Sequence, residues 1–119
     1  MTAPVIETKR LTLRPLRMSD AGLLALYAGD ERVARMTTRI PHPYPPGAAE
    51  AFIERHLESA AALDTVWVMD GTKSDASELI GLISTNRDRD FGEEVGYWVG
   101  PAFWGAGYAQ EALAAIIAN

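Results

Sequence analysis

The chain has 119 residues, of which 48% are hydrophobic and 23% charged, and its formal net charge is −5. These proportions are typical of one globular domain, so we expect residues 1–119 to form a single domain. The absence of cysteine excludes disulfides, thiolate catalysis and cysteine-held metals, and two histidines are too few for most metal sites. The negative charge argues against nucleic-acid binding, and no apolar run approaches the roughly 18 residues of a membrane span. We therefore expect a soluble, cytoplasmic domain without a metal.

The first part of the chain predicts one strand followed by two helices. Leu11 and Leu13 alternate with polar residues at positions 10, 12 and 14, and Leu16 follows Pro15. This pattern is typical of an edge or first strand that keeps Arg14 on its polar face. Ser19 is placed to cap the helix that follows, because its hydroxyl can accept a hydrogen bond from an unpaired backbone N–H group. Proline is dense over residues 41–46 and predicts a rigid loop, after which a second helix is predicted over residues 48–62.

The second part of the chain predicts three strands and a final helix. The strands are expected over residues 65–69, 78–84 and 94–99, and the connections between them are too short for crossover helices, so they should form an antiparallel meander. The helix should begin near Gly107. Its buried face is predicted to consist of Tyr108, Ala112, Leu113, Ile116 and Ile117. The result is an α+β fold of order β-α-α-β-β-β-α with a mixed, mainly antiparallel sheet.

The junction between the last strand and the last helix is the most informative segment. Residues 105, 106, 107 and 109 carry no side chain larger than a methyl group. The first turn of a helix has unpaired N–H donors, and its aligned peptide dipoles place about half a positive charge at that end. Small residues let a phosphate approach these donors. The segment could therefore hold an anion without lysine or arginine.

The two glycines in this segment also allow other interpretations. Gly105 and Gly107 could simply provide the backbone angles that a tight turn requires, and taken alone they leave that interpretation open. A dinucleotide site requires a third glycine where this chain has Gln110, and a nucleotide P-loop requires a Gly-Lys-Ser/Thr run that is absent. The tight turn and the phosphate site are the two possibilities that remain.

A longer run around these glycines is similar to a known family. Residues 96–112 read Gly-Tyr-Trp-Val-Gly-Pro-Ala-Phe-Trp-Gly-Ala-Gly-Tyr-Ala-Gln-Glu-Ala, which resembles the GNAT superfamily of acyl-CoA-dependent N-acetyltransferases. The branch that it resembles is that of the ribosomal-protein N-terminal-alanine acetyltransferases. Residues 104–109 fit the family's pyrophosphate loop, Q/R-x-x-G-x-G/A, with tryptophan at the first position. Residues 8–14 fit the branch's T-x-R-L-x-L-R opening, and residues 79–83 fit its middle strand.

The resemblance implies an activity and a cofactor site. The activity is transfer of an acetyl group from acetyl-CoA to a primary amine, either a peptide or protein N-terminus or a small-molecule amine, by direct attack. Backbone groups of Trp98 and Val99 would bind the pantetheine arm, and N–H groups of the loop would hold the pyrophosphate. The residues so implied in cofactor binding are Trp98, Val99, Trp104, Gly105, Ala106, Gly107, Tyr108 and Ala109.

Two glutamates are candidates for the general base that deprotonates the amine. The resemblance points to Glu94, which precedes Gly-Tyr as an acidic residue does in the branch, and Glu93 is the alternative. The two lie on opposite faces of the strand, because strand side chains alternate. It is also possible that both are solvated residues at the start of a strand. Glu111 is explained as a carboxylate in the first turn of the last helix, facing the positive end of the dipole.

Complete members of this family run longer than the present chain. The resemblance therefore implies that a C-terminal part of the fold is missing here, and that the strand over residues 94–99 is left as an exposed sheet edge. From this we expect a homodimer formed through that edge. Two functional classes remain open: an active N-acetyltransferase, or a non-catalytic acyl-CoA-binding or inactive truncated domain.

Overall fold

An antiparallel sheet with helices on both faces forms the frame of the molecule. The computed structural model describes residues 4–35, 44–58, 64–88 and 92–118. Within these ranges the elements are β1 (Ile6–Glu7), β2 (Thr12–Arg14), α1 (Ala21–Ala28), α2 (Glu31–Ala34), α3 (Ala48–Glu58), β3 (Asp64–Asp70), β4 (Gly81–Asp88), β5 (Gly92–Val99) and α4 (Tyr108–Ala118). Short 3₁₀ turns lie at Met18–Asp20, Thr72–Ser74 and Pro101–Phe103. None of the helices in the described ranges has the length and apolar character needed to cross a membrane.

The predicted α+β fold with a mainly antiparallel sheet is confirmed. The five strands lie in the order β1-β2-β3-β4-β5, and every neighbouring pair is antiparallel. The three-strand meander is therefore as expected, although β4 begins at Gly81 rather than at residue 78. The structure adds β1 and α2 to the predicted order. β1 has two residues and α2 has four, which are too few for a periodic pattern of apolar residues to be recognised in the sequence.

The central strands bury both of their faces, because each face packs against helices. Residues of β3 alternate between two apolar clusters: Trp67 and Met69 join the cluster that packs on α4, whereas Val68 joins the cluster that contains Leu24 of α1 and Ile53 of α3. The end of β5 divides in the same way, with Val99 in the first cluster and Trp98 in the second. The junction after β5 is thus fixed from both sides of the sheet.

Three sequence-based expectations need correction or fall outside the described ranges. Ser19 does not cap α1, since the residue before the helix is Asp20 and Ser19 lies within the preceding 3₁₀ turn. Ile117 is 74% exposed, so it is not part of the buried face of α4, where Ala112 is fully buried. Helix α3 starts as predicted and is described through Glu58, whereas residues 59–62 and the part of the proline-rich loop over 41–43 lie outside the described residues.

Arg14 was expected on a polar outer face, and it is buried instead, at 8% exposure. Its guanidinium binds two carboxylates: Nε donates to Oδ2 of Asp70 at 2.8 Å, and Nη2 donates to Oδ1 of Asp20 at 2.7 Å. A second bond from Nη1 to Asp20 Oδ2, at 3.0 Å, makes that pair bidentate. These bonds join β2, β3 and the turn before α1. Such a buried pair is costly to break, because the remaining charge is left without a partner.

The pKa of Asp70 is set by opposing effects. Burial raises the pKa of this carboxyl, but hydrogen bonds from Thr72 and Arg14 outweigh burial and hold the pKa below the usual 3.8. The backbone N–H of Thr72 donates to Asp70 Oδ1 at 2.9 Å, and its hydroxyl donates to the same oxygen at 2.5 Å. Asp70 is therefore stabilised as the anion that Arg14 requires.

We predict that Asp70→Asn lowers the free energy of unfolding at pH 7 by about 2 kcal/mol, the size of a hydrogen bond to a charged group. Because the folded-state pKa lies below 3.8, the carboxylate's contribution is fully present above that pH and is lost as the pH falls through the lowered value. The variant should therefore lose less stability than the native chain below pH 3.8. Denaturant titrations at pH 7 and at pH 3 measure both effects.

Asp75→Asn is the matched control, because Asp75 is exposed and its φ of 60° is a conformation that asparagine tolerates. It should change stability by less than about 0.5 kcal/mol. Equal losses in the two variants would contradict the structural importance assigned to Asp70.

Candidate functional site

The last strand enters the last helix through a short exposed loop. Gly100 follows β5, and a Cβ atom there would lie 3.3 Å from Cδ1 of Tyr27 and 3.4 Å from the carbonyl oxygen of Ile80. Pro101 then starts a 3₁₀ turn, a position that suits its fixed φ and missing N–H. The loop over residues 104–107 is exposed to solvent, and α4 begins at Tyr108.

The two loop glycines adopt a backbone conformation that other residues rarely take. Gly105 has a φ of 82° and Gly107 a φ of 80°, both in the left-handed region that glycine enters without steric cost. A Cβ atom on Gly105 would meet nothing within 4 Å, so this part of the loop is also open to solvent. The glycines thus allow the tight turn and also leave the loop accessible. The tight turn and the phosphate site, the two interpretations that the sequence left open, are therefore compatible.

The loop presents backbone donors at the start of α4. The first helical bond runs from the N–H of Glu111 to the carbonyl of Gly107, at 3.0 Å. The N–H groups that precede it in the helix have no intrahelical acceptor. Among the described residues, the N–H groups of Gly105, Ala106 and Gly107 form no backbone hydrogen bond either. Together with the helix dipole, this row of donors can bind an anion.

Trp104 connects the loop to the end of β5. Its indole Nε1 donates to the carbonyl oxygen of Val99 at 2.8 Å, while 45% of its surface remains exposed. The indole N–H is therefore used within the protein and is not offered to a ligand. It fixes the distance between the strand end and the loop, the two regions that a molecule lying across both would contact.

The backbone is irregular at the residue just before β4, beside the end of β5. Ile80 donates its N–H to Met69 on β3, at 2.8 Å, but accepts at its carbonyl from Gly100 on the other side, also at 2.8 Å. A residue in a regular antiparallel pair directs both groups to the same neighbour, so the hydrogen-bond ladder is irregular at Ile80, the residue that precedes β4. At the next residue, Gly81, a Cβ atom would lie 2.1 Å from the carbonyl oxygen of Trp98. Gly81 thus permits a close approach of β4 to the end of β5.

Sequence reasoning assigned no role to Gly81. A glycine inside an apolar strand is a known signal of a bulge or of close backbone approach, and this signal could have identified it. Trp98 and Val99, which were expected to contact a cofactor through their backbones, have buried side chains at 7% and 6% exposure. Only their backbone groups could reach a ligand.

Glu93 and Glu94 both lie in β5, as expected for the candidate bases. Their backbones pair with Arg87 and Asn86 of β4, in that order. Position 94 shares its face of the strand with Trp98, four residues further on, because successive positions alternate. The side chains of both glutamates lie outside the described residues. The described part of the chain contains no group of three or more histidine, aspartate or glutamate residues that could hold a metal ion.

Glu111 lies in the first turn of α4, as expected, and it also accepts three hydrogen bonds from the turn between β1 and β2. Its Oε2 accepts from the hydroxyl of Thr8 at 2.5 Å and from the backbone N–H of Arg10 at 2.8 Å, and its Oε1 accepts from Arg10 Nε at 2.7 Å. Burial raises the pKa of Glu111, but these hydrogen bonds outweigh it and hold the pKa below 4.5. One carboxylate thus ties the turn between β1 and β2 to the start of α4.

The profile of one family, described as Acetyltransferase (GNAT) domain, matches residues 10–119. Among solved structures, an acetyltransferase (GNAT family) from Bacillus anthracis superposes with a TM-score of 0.74 at 20% identity, over 96% of this chain and 64% of that one. A T. thermophilus protein described as an acetyltransferase gives 0.74 at 21% identity, over 98% and 60%. These two likenesses show the fold.

A third solved structure, from Vibrio cholerae, carries the name ribosomal-protein-serine acetyltransferase. It superposes with a TM-score of 0.70 at 26% identity, over 98% of this chain and 67% of that one. The present chain thus spans between 60% and 67% of the length of these three proteins. No curated protein matches the sequence.

We predict that Gly81→Ala lowers the free energy of unfolding by about 1–3 kcal/mol, because the new methyl group meets backbone atoms that can move only if the end of β5 moves. Gly96→Ala is the control on the paired strand, where the nearest atom to a new Cβ is Ser84 Oγ at 3.6 Å, an ordinary contact. The control should change stability by less than about 0.5 kcal/mol. Denaturant midpoints measure the stability of both variants, and similar midpoints for the two would contradict the close approach at Gly81.

Proposed function

The chain belongs to the GNAT acetyltransferase family, and from this we propose that it binds acetyl-CoA and transfers the acetyl group to a primary amine. The observation that carries the proposal is the loop over residues 104–107, with two left-handed glycines and a row of backbone donors at the start of an 11-residue helix. The diphosphate of coenzyme A is an anion of the size and charge that such a loop can hold.

The proposed cofactor path runs from the loop to the end of β5. The N–H groups of residues 105–109 would bind the diphosphate, and backbone groups of Trp98 and Val99 would bind the pantetheine arm. The Trp104–Val99 hydrogen bond supports this path, because it holds the two regions at a fixed separation. The reaction itself needs a neutral amine and donors for the oxygen that becomes negative as the amine attacks the thioester.

We propose Glu94 as the general base that accepts the proton of the amine, with Glu93 as the alternative. Both lie on β5, the strand that leads to the proposed pantetheine site, so either could act directly or through one water molecule. Glutamine variants of the two residues separate them.

The acceptor that we propose is the N-terminal amine of a peptide or protein. Support comes from the run over residues 96–112 and from the name of the Vibrio cholerae protein, ribosomal-protein-serine acetyltransferase, at 26% identity. A small-molecule amine would use the same chemistry and is an outcome of the test.

We also propose that two copies pair through β5. Among the described strands, β5 pairs on one side only, with β4. Val95 and Tyr97 near its centre are 42% and 47% exposed, and an apolar edge strand of this kind favours pairing with another strand. A second copy offers the same edge and would give a symmetric contact.

The test is release of free CoA from acetyl-CoA, with peptides that begin with alanine or serine, the same peptides with acetylated N-termini, a polyamine and an aminoglycoside. We expect release only with free amines, and fastest with the free peptides. Glu94→Gln should lower kcat by about 10²–10⁴-fold if it removes the general base, and Asp75→Asn should leave kcat unchanged.

A kcat loss confined to Glu93→Gln would move the base to that residue. Binding of acetyl-CoA by calorimetry without release for any amine would show a non-catalytic acyl-CoA-binding domain. No binding at all would refute the proposed function.

A further inference from the structure

A cofactor with several phosphate charges must be bound in a chain whose own charge is −5. No lysine or arginine occurs after Arg89, so the loop and α4 carry no cationic side chain of their own. Backbone donors supply direction but only a fraction of a charge. A cation at this site has to come from another part of the chain.

The turn between β1 and β2 brings a cation, Arg10, to the loop. Arg10 is held to α4 by Glu111, which binds both its Nε and its backbone N–H, at 2.7 and 2.8 Å. The carbon at the centre of its guanidinium lies 4.3 Å from the centre of the Tyr108 ring, within the range of a cation–π contact. The side chain is therefore fixed on two sides, by residues of the first turn of α4.

The free edge of this guanidinium faces the glycine loop. Arg10 Nη2 lies 3.7 Å from the position that a Cβ would take on Gly107. Neither Nη group has a hydrogen-bond partner among the described residues, and 35% of the side chain is exposed. Because Gly107 has no side chain, no atom of this residue lies between the Nη groups of Arg10 and the surface of the loop.

We infer that Arg10 binds phosphate oxygens of coenzyme A beside the glycine loop, through its two Nη groups. The inference rests on the proposed function and adds to it a binding residue that lies almost a hundred positions before the loop. Arginine suits the role because its guanidinium stays charged and presents donors in a planar fork that matches phosphate. Glu111 engages Nε and leaves the fork available.

The test compares binding of CoA and of dephospho-CoA, by calorimetry, to the native chain and to Arg10→Met. We expect affinity to fall about 10- to 100-fold, as for loss of a hydrogen-bonded charge pair. An equal loss for both ligands places Arg10 on the diphosphate, and a loss seen only with CoA places it on the 3′-phosphate. Arg17→Met is the control, since it removes the same charge from an exposed side chain. The Arg17 side chain is 52% exposed, and its Nη2 lies 3.8 Å from Oε2 of Glu78.

A second measurement uses the native chain, in case Arg10→Met does not fold. An arginine-specific dicarbonyl reagent is applied with and without CoA, and modification is read by mass spectrometry. CoA should protect Arg10 and leave Arg17 reactive. Native affinity in a folded Arg10→Met, or no protection of Arg10 at saturating CoA, would overturn the inference while leaving the proposed function intact. Failure of the native chain to bind CoA would refute the proposed function itself.

Discussion

The backbone conformation of two glycines is the constraint on which the site depends. With Gly105 and Gly107 in the left-handed region, the chain can leave β5, turn and start α4 while its N–H groups remain exposed. Neighbouring contacts hold this turn in place. Trp104 binds the end of β5, Glu111 binds the N-terminal turn, and Gly81 lets β4 approach the strand end. Each of them fixes the loop relative to the sheet.

The electrostatics of the site follow from how little positive charge lies nearby in sequence. Binding by backbone donors and a helix dipole does not require lysine or arginine on the loop, which is compatible with an acidic chain. Where a full charge is present, as in Arg10, a carboxylate fixes its position through Nε and leaves the remaining donors free. Arg14 shows the opposite arrangement, because two carboxylates occupy its guanidinium and its bonds join β2, β3 and the turn before α1.

Features that depend on local pattern could be predicted from the sequence. The meander follows from three apolar, strand-like runs joined by short connections, and the loop follows from small residues between a strand and a helix. Contacts between distant residues could not be predicted. In the sequence Arg14 looks like a surface residue, because one of its two carboxylate partners, Asp70, is 56 positions away; Arg10 and Glu111 are 101 positions apart. The glycine at position 81 is itself a signal of close backbone approach, but its partner, the carbonyl of Trp98, depends on the pairing of two strands and could not be predicted.

The central claim is that the backbone N–H groups from Gly105 to Ala109 bind the diphosphate of coenzyme A. Amide chemical shifts of the ¹⁵N-labelled chain, followed during titration with CoA, test it most directly. We expect large, saturable shifts at these amides, which persist with dephospho-CoA and are absent with pantetheine, which lacks phosphate. Binding of CoA with unchanged amide shifts over residues 105–109 would refute diphosphate binding by this loop.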